Sequence, residues 1–292
     1  MIIIKISGGL GNQLFQYAFG RYLSVKFNTE MKFDVQTNYN SLSFTKRSVG
    51  LNNFNIHLEQ ASKDEINKFK YFENIFLARV ERKLVKKMPF LNKRYLVQNL
   101  NKTEYGKADF RNNCYYDGYW QSEDYFEPII NKLKKEFKSS FIPVLDDINN
   151  SHLNEIKNSK SVSIHIRRGD YISIKSNEAI FCTCSINYYE KAIKYINDKI
   201  NNPLFFVFSD DIEWVKNNFK GEQFRIIANN SHSPELDLFL MSNCKHNIIA
   251  NSSFSWWGAW LNQNRNKIVI SPSFWLKNSH CDSITPKDWI KI

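Results

Sequence analysis

The 292-residue sequence has few of the features that mark disulfide frameworks, structural zinc sites or membrane spans. Its five cysteines are an odd number, and no paired C-x-x-C spacing completes a zinc-ligand pattern. No apolar run approaches the ~18 residues that a transmembrane helix needs. The chain opens on Met1 to Lys5 without a basic segment followed by an apolar one, so we expect no signal peptide. These absences predict a cytoplasmic protein with free thiols.

The composition is that of a globular protein with a large core. Hydrophobic residues make up 42% of the chain and charged residues 24%, which excludes a disordered or fibrous chain. At about 150 residues per domain, the length predicts two domains. The polar run Asp146 to Asn150 is the best linker candidate, and we therefore expect domains at 1–155 and 156–292.

The net charge of +11 is concentrated in one segment. Residues 79–94 contain a single acid, Glu81, against seven basic residues: Arg79, Arg82, Lys83, Lys86, Lys87, Lys93 and Arg94. Three interpretations stay open: a solvated helix face, a contact with the anionic inner face of the plasma membrane, and nucleic-acid binding. Apolar residues interleave with the charges, as an amphipathic membrane-surface helix requires. The chain has no RNA-binding aromatic signature, zinc finger or basic zipper, which disfavours nucleic acid.

The N-terminus predicts a strand, a glycine loop and a helix. The apolar run Ile2 to Ile6 leads into Ser7-Gly8-Gly9-Leu10-Gly11-Asn12-Gln13, and apolar residues then recur at helical spacing. This is the opening βα unit of a nucleotide-binding type of sheet. The loop is neither G-x-G-x-x-G nor a P-loop, and a tight turn without a ligand is the alternative.

In the first half of the chain, the sequence predicts helices at 61–88, ended by Pro89, and from Asp124 to Phe137. After residue 160, strands and helices alternate regularly, and Ser185 is the expected cap of the first helix there. We predict strands at 162–166, 204–208, 224–228, 247–250 and 267–270, with helices at 186–200, 212–219, 234–242 and 254–262. This alternation predicts a parallel sheet with helices on both faces. Ligands of such sheets bind beyond the carboxyl ends of the strands.

Charged side chains follow the first two of these strands. His165 and Arg167 share one face of the first, and the adjacent Arg167 and Arg168 suit a pyrophosphate, because guanidinium groups bind oxygen pairs in a bidentate manner. A surface ion pair between Arg168 and Asp170 is the alternative. After the second strand, Asp210 and Asp211 could orient sugar hydroxyls or transfer protons, and one of them could instead cap the next helix.

Two later helix starts carry further candidates. Ser252 and Ser253 begin a helix whose free N–H groups could meet an anion, although simple N-capping explains them too. The following Trp256 and Trp257 are expected in the core. Asp237 lies early in its helix, where an acid interacts favourably with the helix dipole and need have no other role. In a nucleotide pocket, its carboxylate would instead pair with the N1–H and 2-amino donors of guanine.

In this order, the motifs resemble those of glycosyltransferase family 11, the bacterial and animal α-1,2-fucosyltransferases. The resemblance covers nearly the whole chain and is carried by Gly8 to Gln16, Gly118 to Ser122, His165 to Tyr171, Phe208 to Asp211 and Asn251 to Trp257. It implies an α/β fold of the GT-B type, with two Rossmann-like domains. The N-terminal domain would lie on the acceptor side and the C-terminal domain would bind the donor.

The resemblance also implies a reaction. An inverting, metal-independent transfer would move L-fucose from GDP-β-L-fucose to the 2-hydroxyl of a terminal β-galactose on an oligosaccharide or lipid-linked glycan, in O-antigen or surface-glycan synthesis. GDP-fucose is then a substrate, and no cofactor is expected. The chain has no Asp-x-Asp motif, the usual metal site of metal-dependent sugar-nucleotide transferases, so Arg167 and a helix start would neutralise the pyrophosphate. The alternatives are another GDP-sugar or another linkage and, more remotely, a basic nucleic-acid-binding protein.

Residue roles follow from the same resemblance. Arg167 looks like the β-phosphate ligand, His165 like a guanosine-side contact and Asp237 like the guanine reader. Ser252 and Ser253 look like the phosphate-binding helix start. The N-terminal loop that closes near the fucose would contain Gly9, Gly11 and Asn12. The general base is not identified by the sequence; Asp170 and Glu178 are the candidates, and relatives often have His-Gly-x-Cys-Ser where this chain has Phe181-Cys182-Thr183-Cys184-Ser185.

Overall fold

The structure, a computed structural model, divides into two compact units, Met1–Ser140 and Phe141–Ile292. It describes residues 1–35, 49–54, 56–72, 75–98, 110–169, 183–276, 279–280 and 284–292. Each unit is built around its own parallel sheet. The predicted fold class, α/β of the GT-B type with two Rossmann-like units, is confirmed.

The first unit contains a four-stranded parallel sheet. Its strands are β1 (Ile2–Lys5), β2 (Met31–Asp34), β3 (Tyr95–Val97) and β4 (Cys114–Asp117), and its helices are α1 (Leu10–Phe27), α2 (Lys63–Asn67), α3 (Ile75–Lys87) and α4 (Ile130–Ser140). Short 3-10 helices accompany them in the described residues, at Gly50–Phe54, Pro89–Leu91, Glu123–Tyr125 and Glu127–Ile129. The strand order is β2-β1-β4-β3. β1 and β4 therefore lie side by side in the middle of the sheet, paired in parallel with Ile2 opposite Cys114.

The second unit contains a six-stranded parallel sheet. Its strands are β5 (Ser161–Ile166), β6 (Leu204–Ser209), β7 (Phe224–Ile227), β8 (His246–Ile248), β9 (Val269–Ser271) and β12 (Ile290–Lys291), while β10 (Phe274–Leu276) and β11 (Ser279–His280) form a separate antiparallel pair. Its helices are α5 (Asp147–Asn158), α6 (Ile186–Lys199), α7 (Ile212–Asn218), α8 (Pro234–Asn243) and α9 (Ser253–Leu261).

The strand order β7-β6-β5-β8-β9-β12 follows the 3-2-1-4-5-6 order of dinucleotide-binding sheets. The order reverses between β5 and β8, which pair in parallel with Ile164 opposite Ile248. In such sheets the ligand binds beyond the carboxyl ends of the strands at this reversal. The segments after β5 and β8 are therefore the first place to look for a site.

Fully buried strands explain why the second unit was easy to predict. All six residues of β5 are buried, because helices cover both faces of the sheet. Trp256 and Trp257 are completely buried and pack edge to face, with ring centroids 5.1 Å apart, so they belong to the core as expected. Ser185 caps α6 by accepting a hydrogen bond from the backbone N–H of Tyr188, also as predicted.

The structure corrects three predictions. The linker candidate Asp146 to Asn150 is instead the N-cap and first turn of α5, which packs against α8, and the unit boundary therefore lies at Ser140, not at residue 155. The helix predicted over 61–88 is interrupted, with α2 ending at Asn67. The helix predicted from Asp124 begins only at Ile130, because Pro128 and the preceding residues form 3-10 turns.

The described residues include no helix that is both long and apolar enough to cross a membrane.

Candidate functional site

The glycine loop after β1 is held by two buried glutamines of α1. Gln13 donates a hydrogen bond to the carbonyl of Gly8 at 2.9 Å. The Gln16 amide accepts from the N–H of Ser7 and donates to the Ser7 hydroxyl, at 2.9 and 3.1 Å. Gly8 has φ of +78°, and a Cβ there would lie 2.6 Å from the Asn12 side chain. The loop therefore needs glycine at this position for both its backbone conformation and its packing.

The candidates in this loop occupy different places in α1. Gly9 is the N-cap, in an extended conformation, and Gly11 is buried in the first turn. The side-chain oxygen of Asn12 accepts a hydrogen bond from Gln121 at 2.6 Å. The loop is thus connected to the segment that follows β4.

That segment, Gly118 to Gln121, contacts the glycine loop beyond the carboxyl ends of the neighbouring strands β1 and β4. Gln16 donates to the Gly118 carbonyl at 3.0 Å. Trp120 has a left-handed backbone, with φ of +54°, which is a strained conformation for a bulky residue. Gln98 stabilises it by accepting from the N–H groups of both Tyr119 and Trp120. The buried Trp120 ring stacks on Phe19, with ring centroids 4.3 Å apart.

Beneath this edge of the first sheet lies a buried cluster of charges. Asp117, the last residue of β4, accepts from Arg82 at 2.8 Å, Tyr95 at 3.0 Å and Lys5 at 3.2 Å. Burial opposes ionisation, but the charges of Lys5 and Arg82 outweigh it and hold the pKa of Asp117 well below its usual range. Asp117 is therefore a fixed anion that anchors Arg82 of α3 over the sheet edge, and it is poorly suited to accept a proton.

In the second unit, Asp210 fixes Arg167 just beyond the end of β5. Arg167 Nη1 lies 2.7 Å from the Asp210 carboxylate. The other carboxylate oxygen accepts from the N–H groups of Arg168 and Gly169, at 2.9 and 3.1 Å. Burial would raise the pKa of Asp210, but Arg167 and these two N–H groups lower it below the ordinary value. An ionised Asp210 thus shapes the turn that presents Arg167.

Arg168 is held by a second acid and an aromatic ring. Its Nε lies 3.1 Å from Asp211, and its guanidinium lies over the Trp214 ring, 4.4 Å from the centroid. Asp211 is also the N-cap of α7, accepting from the N–H of Trp214. The capping alternative is therefore confirmed for Asp211. The alternative partner of Arg168, Asp170, lies outside the described residues.

His165 is a neutral, buried histidine. Its Nδ1 makes no hydrogen bond with the residues that the structure describes. Burial, reinforced by the charge of Arg167 and opposed by Asp210, lowers the pKa of His165 to about 3. Its ring lies 5.4 Å from that of Phe254, measured between centroids. Since Phe254 is in the first turn of α9, this contact brings the end of β5 next to the predicted phosphate-binding helix start.

The start of α9 follows β8 directly. Ser252 is the N-cap and accepts from the N–H of Phe254 at 3.3 Å, and Ser253 is the first helical residue. The first turn contains no acid, so the positive end of the helix dipole is not compensated by a carboxylate there. The reversal point of the sheet therefore has a cationic side chain on one strand and a helix N-terminus on the next.

Asp237 lies in the first turn of α8 and belongs to a network of buried amides. Asn230 donates to its carboxylate at 2.8 Å and forms reciprocal bonds with Asn149 of α5. Burial raises the pKa of Asp237 to about 7, although the bond from Asn230 favours the ionised form.

A family model for glycosyl transferase family 11 matches residues 1–292. The chain belongs to this family. An α-1,2-colitosyltransferase of Escherichia coli is 34% identical to it over 100% of this chain and 99% of that protein. The O-antigen biosynthesis glycosyltransferase WbnK of E. coli is 32% identical over 98% and 99%. The bovine galactoside α-(1,2)-fucosyltransferase 2 is 28% identical, but over only 37% of this chain and 33% of its own length.

Family 11 membership leaves the individual residue roles as predictions. The contacts bring together four predicted site residues, namely Arg167, Arg168, Asp210 and Asp211, with His165 next to Ser253 through Phe254. Asp170 and Glu178 lie outside the described residues, so the general base stays a prediction. The described residues contain no group of three or more His, Cys, Asp or Glu side chains arranged to hold a metal ion.

Sequence reasoning missed the side chains that support this family 11 site. Gln13 and Gln16 are conspicuous because two polar residues occupy otherwise apolar positions of a buried helix, and each proves to be fully buried. Polar residues on a buried helix face indicate hydrogen bonds to a neighbouring loop. Trp214 and Asn149 carry no comparable local signal.

Proposed function

We propose that this family 11 glycosyltransferase transfers L-fucose, with inversion, from GDP-β-L-fucose to the 2-hydroxyl of a terminal β-galactose. The acceptor would be an oligosaccharide or lipid-linked glycan of O-antigen or surface-glycan synthesis. The observation that carries the proposal is the reversal point of the second sheet, where Arg167 and the N-terminus of α9 lie on adjacent strands. The colitosyltransferase and fucosyltransferase relatives both support the α-1,2 linkage, and the fucosyltransferases support the sugar.

The chemistry of the leaving group fits this arrangement. Breaking the bond between fucose and phosphate develops negative charge on GDP. A guanidinium and oriented N–H groups stabilise that charge more strongly as it grows, and only such differential stabilisation accelerates the step. Asp210 contributes by holding Arg167 before the donor arrives, so little reorganisation is needed. Asp237 would read guanine at the far end of the nucleotide.

A second candidate donor is GDP-colitose, favoured by the 34% identity with an α-1,2-colitosyltransferase over the whole chain. Colitose is L-fucose without the 3-hydroxyl group. A pocket that hydrogen-bonds this hydroxyl would reject the deoxy sugar by about 10⁴-fold, because its polar groups would be left unpaired. A pocket that is apolar there would discriminate only weakly. The two donors can therefore be separated by one measurement.

We expect GDP-fucose to be consumed with a kcat/KM at least about 100-fold above those of GDP-colitose and GDP-mannose. The measurement is donor turnover by mass spectrometry, with a panel of β-galactosides as acceptors and glucosides as controls. Preference for GDP-colitose would replace the donor and leave the α-1,2 transfer proposal standing. Preference for GDP-mannose, or product with the glucosides only, would overturn the proposal.

We also expect transfer to continue in excess EDTA. The basis is the missing Asp-x-Asp motif, together with an arginine and a helix start where a metal would otherwise neutralise the pyrophosphate. Initial rates before and after chelation provide the measurement, with a metal-dependent transferase as the positive control. Loss of activity that Mn²⁺ or Mg²⁺ restores would contradict the metal-independent mechanism.

A further inference from the structure

Helix α3 of the first unit presents an apolar stripe to solvent. Phe76, Val80, Leu84 and Met88 recur at intervals of four residues, which places them along one side of the helix and its C-terminal end. All four are exposed, Phe76 by 70% of its surface. The 3-10 helix that follows adds Phe90, which is 68% exposed. Contiguous apolar surface of this kind marks an interaction site, whereas single exposed apolar residues are ordinary.

The opposite side of α3 is anchored by polar bonds. Arg82 forms its ion pair with the buried Asp117, and Glu81 accepts a hydrogen bond from the N–H of Tyr71 at 3.0 Å. Val85 packs in the core with Tyr95. The helix therefore cannot roll to bury its apolar stripe without separating Arg82 from the buried Asp117 and pulling Val85 out of the core. The outward direction of the stripe is built into the fold.

Positive charge borders this stripe. Arg79, Lys83 and Lys86 follow one another at helical spacing beside it, with Lys87 and Lys93 nearby. None of these five forms an ion pair with another described residue. The only acid of the segment, Glu81, is buried on the inner side. The partner that fits is apolar at its centre and anionic at its surface.

We propose that the α3 surface, residues 76–91, binds the headgroup layer of a bilayer that contains anionic phospholipid. An interfacial helix inserts its apolar stripe among the acyl chains while basic residues contact lipid phosphates. A second copy of this chain would bring the same positive charge against it and is disfavoured. Val80, Leu84 and Met88, which lie between the two exposed phenylalanines, have no ring on which bases could stack, and this disfavours nucleic acid.

The position of α3 determines which part of the first unit a membrane contact would bring near the bilayer. Through Arg82 and Asp117, the helix is fixed at the carboxyl edge of the first sheet, where the glycine loop and Gly118 to Gln121 also lie. A membrane-bound α3 would hold this edge near the bilayer surface. A lipid-linked acceptor would then meet the enzyme by diffusion in the membrane plane. The membrane contact itself does not depend on the identity of the donor sugar.

The test is co-sedimentation of the full chain with vesicles. One set contains phosphatidylcholine alone, and the other contains phosphatidylcholine with about one-third phosphatidylglycerol. We expect pelleting only with the anionic vesicles, and its loss at about 0.5 M salt, where screening is strong. The triple variant Arg79→Gln, Lys83→Gln, Lys87→Gln should weaken partitioning about 100-fold, at roughly five-fold for each cation removed.

Apolar variants separate insertion from simple charge attraction. Phe76→Ser with Leu84→Ser should weaken binding at least about ten-fold, because both side chains would leave the acyl region. The matched control is Ile142→Ser with Val144→Ser. These residues are also highly exposed, Val144 by 96%, but acidic Asp146 and Asp147 follow them. The control should bind like the wild type, and thermal unfolding midpoints verify that every variant is folded.

Three results would overturn the proposal. One is equal pelleting with both kinds of vesicle. Another is unchanged binding by a folded charge or apolar variant. The third is a dimer in sedimentation velocity that Phe76→Ser with Leu84→Ser dissociates, in a protein that binds neither kind of vesicle; the α3 surface would then be an interface between copies.

Discussion

Replacing Arg167 by alanine should lower kcat/KM for transfer by about 10² to 10³, the usual effect of removing one preorganised group that stabilises a leaving group. Arg167 lies at the sheet reversal point, on the strand next to the N-terminus of α9. The fold should survive, because Asp210 keeps its hydrogen bonds from the N–H groups of Arg168 and Gly169. Initial rates with saturating acceptor provide the measurement.

The matched control for this variant is Arg225→Ala. Arg225 lies on β7 of the same sheet and pairs with Glu155 at 2.7 Å, away from the reversal point. It should keep near-wild-type activity. Arg167→Lys should give an intermediate rate, since it keeps the charge but loses the planar pair of donors. If a folded Arg167→Ala enzyme keeps activity within about three-fold of wild type, Arg167 does not stabilise the leaving group.

Replacing Asp237 by asparagine should have opposite effects on stability and on nucleotide binding. Because burial raises the pKa of Asp237 to about 7, its ionised form destabilises the folded state. That cost is absent below about pH 4, grows as the pH rises towards 7, and is complete above 7. Asparagine removes it while it can still accept the hydrogen bond from Asn230. We expect Asp237→Asn to increase the free energy of unfolding at pH 8 by about 1–3 kcal/mol, and not at pH 4.

Affinity for GDP should change in the other direction. The N1–H and 2-amino groups of guanine need an ionised acceptor, so the wild type should bind GDP about ten-fold more weakly for each pH unit below 7. Asp237→Asn should bind about 10- to 100-fold more weakly at pH 8. Its remaining pH dependence reports the titration of the phosphates. Calorimetry from pH 6 to 8 measures both proteins.

Glu235→Gln is the control for Asp237. Glu235 lies in the same first turn of α8, and its charge helps to raise the pKa of Asp237. Its removal should therefore leave GDP affinity unchanged at pH 8, where Asp237 is ionised in both proteins. If Asp237→Asn also binds GDP like the wild type at pH 8, the only role of Asp237 is a favourable interaction with the dipole of α8. If the variant is more stable but binds GDP with unchanged affinity, Asp237 does not bind guanine. The conclusion that its buried charge destabilises the fold would still hold.

Features of the fold that arise locally were predictable from the sequence. The strands of the second unit are continuous apolar runs, and serine or aspartate caps mark several helix starts. The short strand β3 was missed because only three residues, Tyr95–Val97, pair with β4. Its existence depends on a partner strand about 20 residues away. The early end of α2 at Asn67 was likewise not predicted, because neither proline nor glycine follows it.

The candidate site was predictable as a set of segments but not as a set of contacts. The rule that ligands bind at strand ends pointed to Arg167 and Ser252, and Asp237 was singled out as an acid at a helix start. The pairing of Arg167 with Asp210 joins residues 43 positions apart in the sequence, and no local pattern encodes such a pair. Asn230 bonds to Asp237 and also to the buried Asn149, which lies 81 positions before it in the sequence. The charge state of Asp237 therefore became apparent only in the folded structure.

The strained Trp120 has a consequence for how this enzyme can diversify. Its left-handed backbone persists because Gln98 and the aromatic packing around Phe19 stabilise it. The same ring that fills the core of the first unit thus sets the direction of the chain leading to Gln121. A substitution that reshaped this turn would also open a cavity in the core, and the loss of stability would reach about 3–5 kcal/mol for a buried tryptophan. Natural sequence variation should therefore accumulate in the other loops of this edge, while Gly118 to Gln121 stays constant among family 11 enzymes.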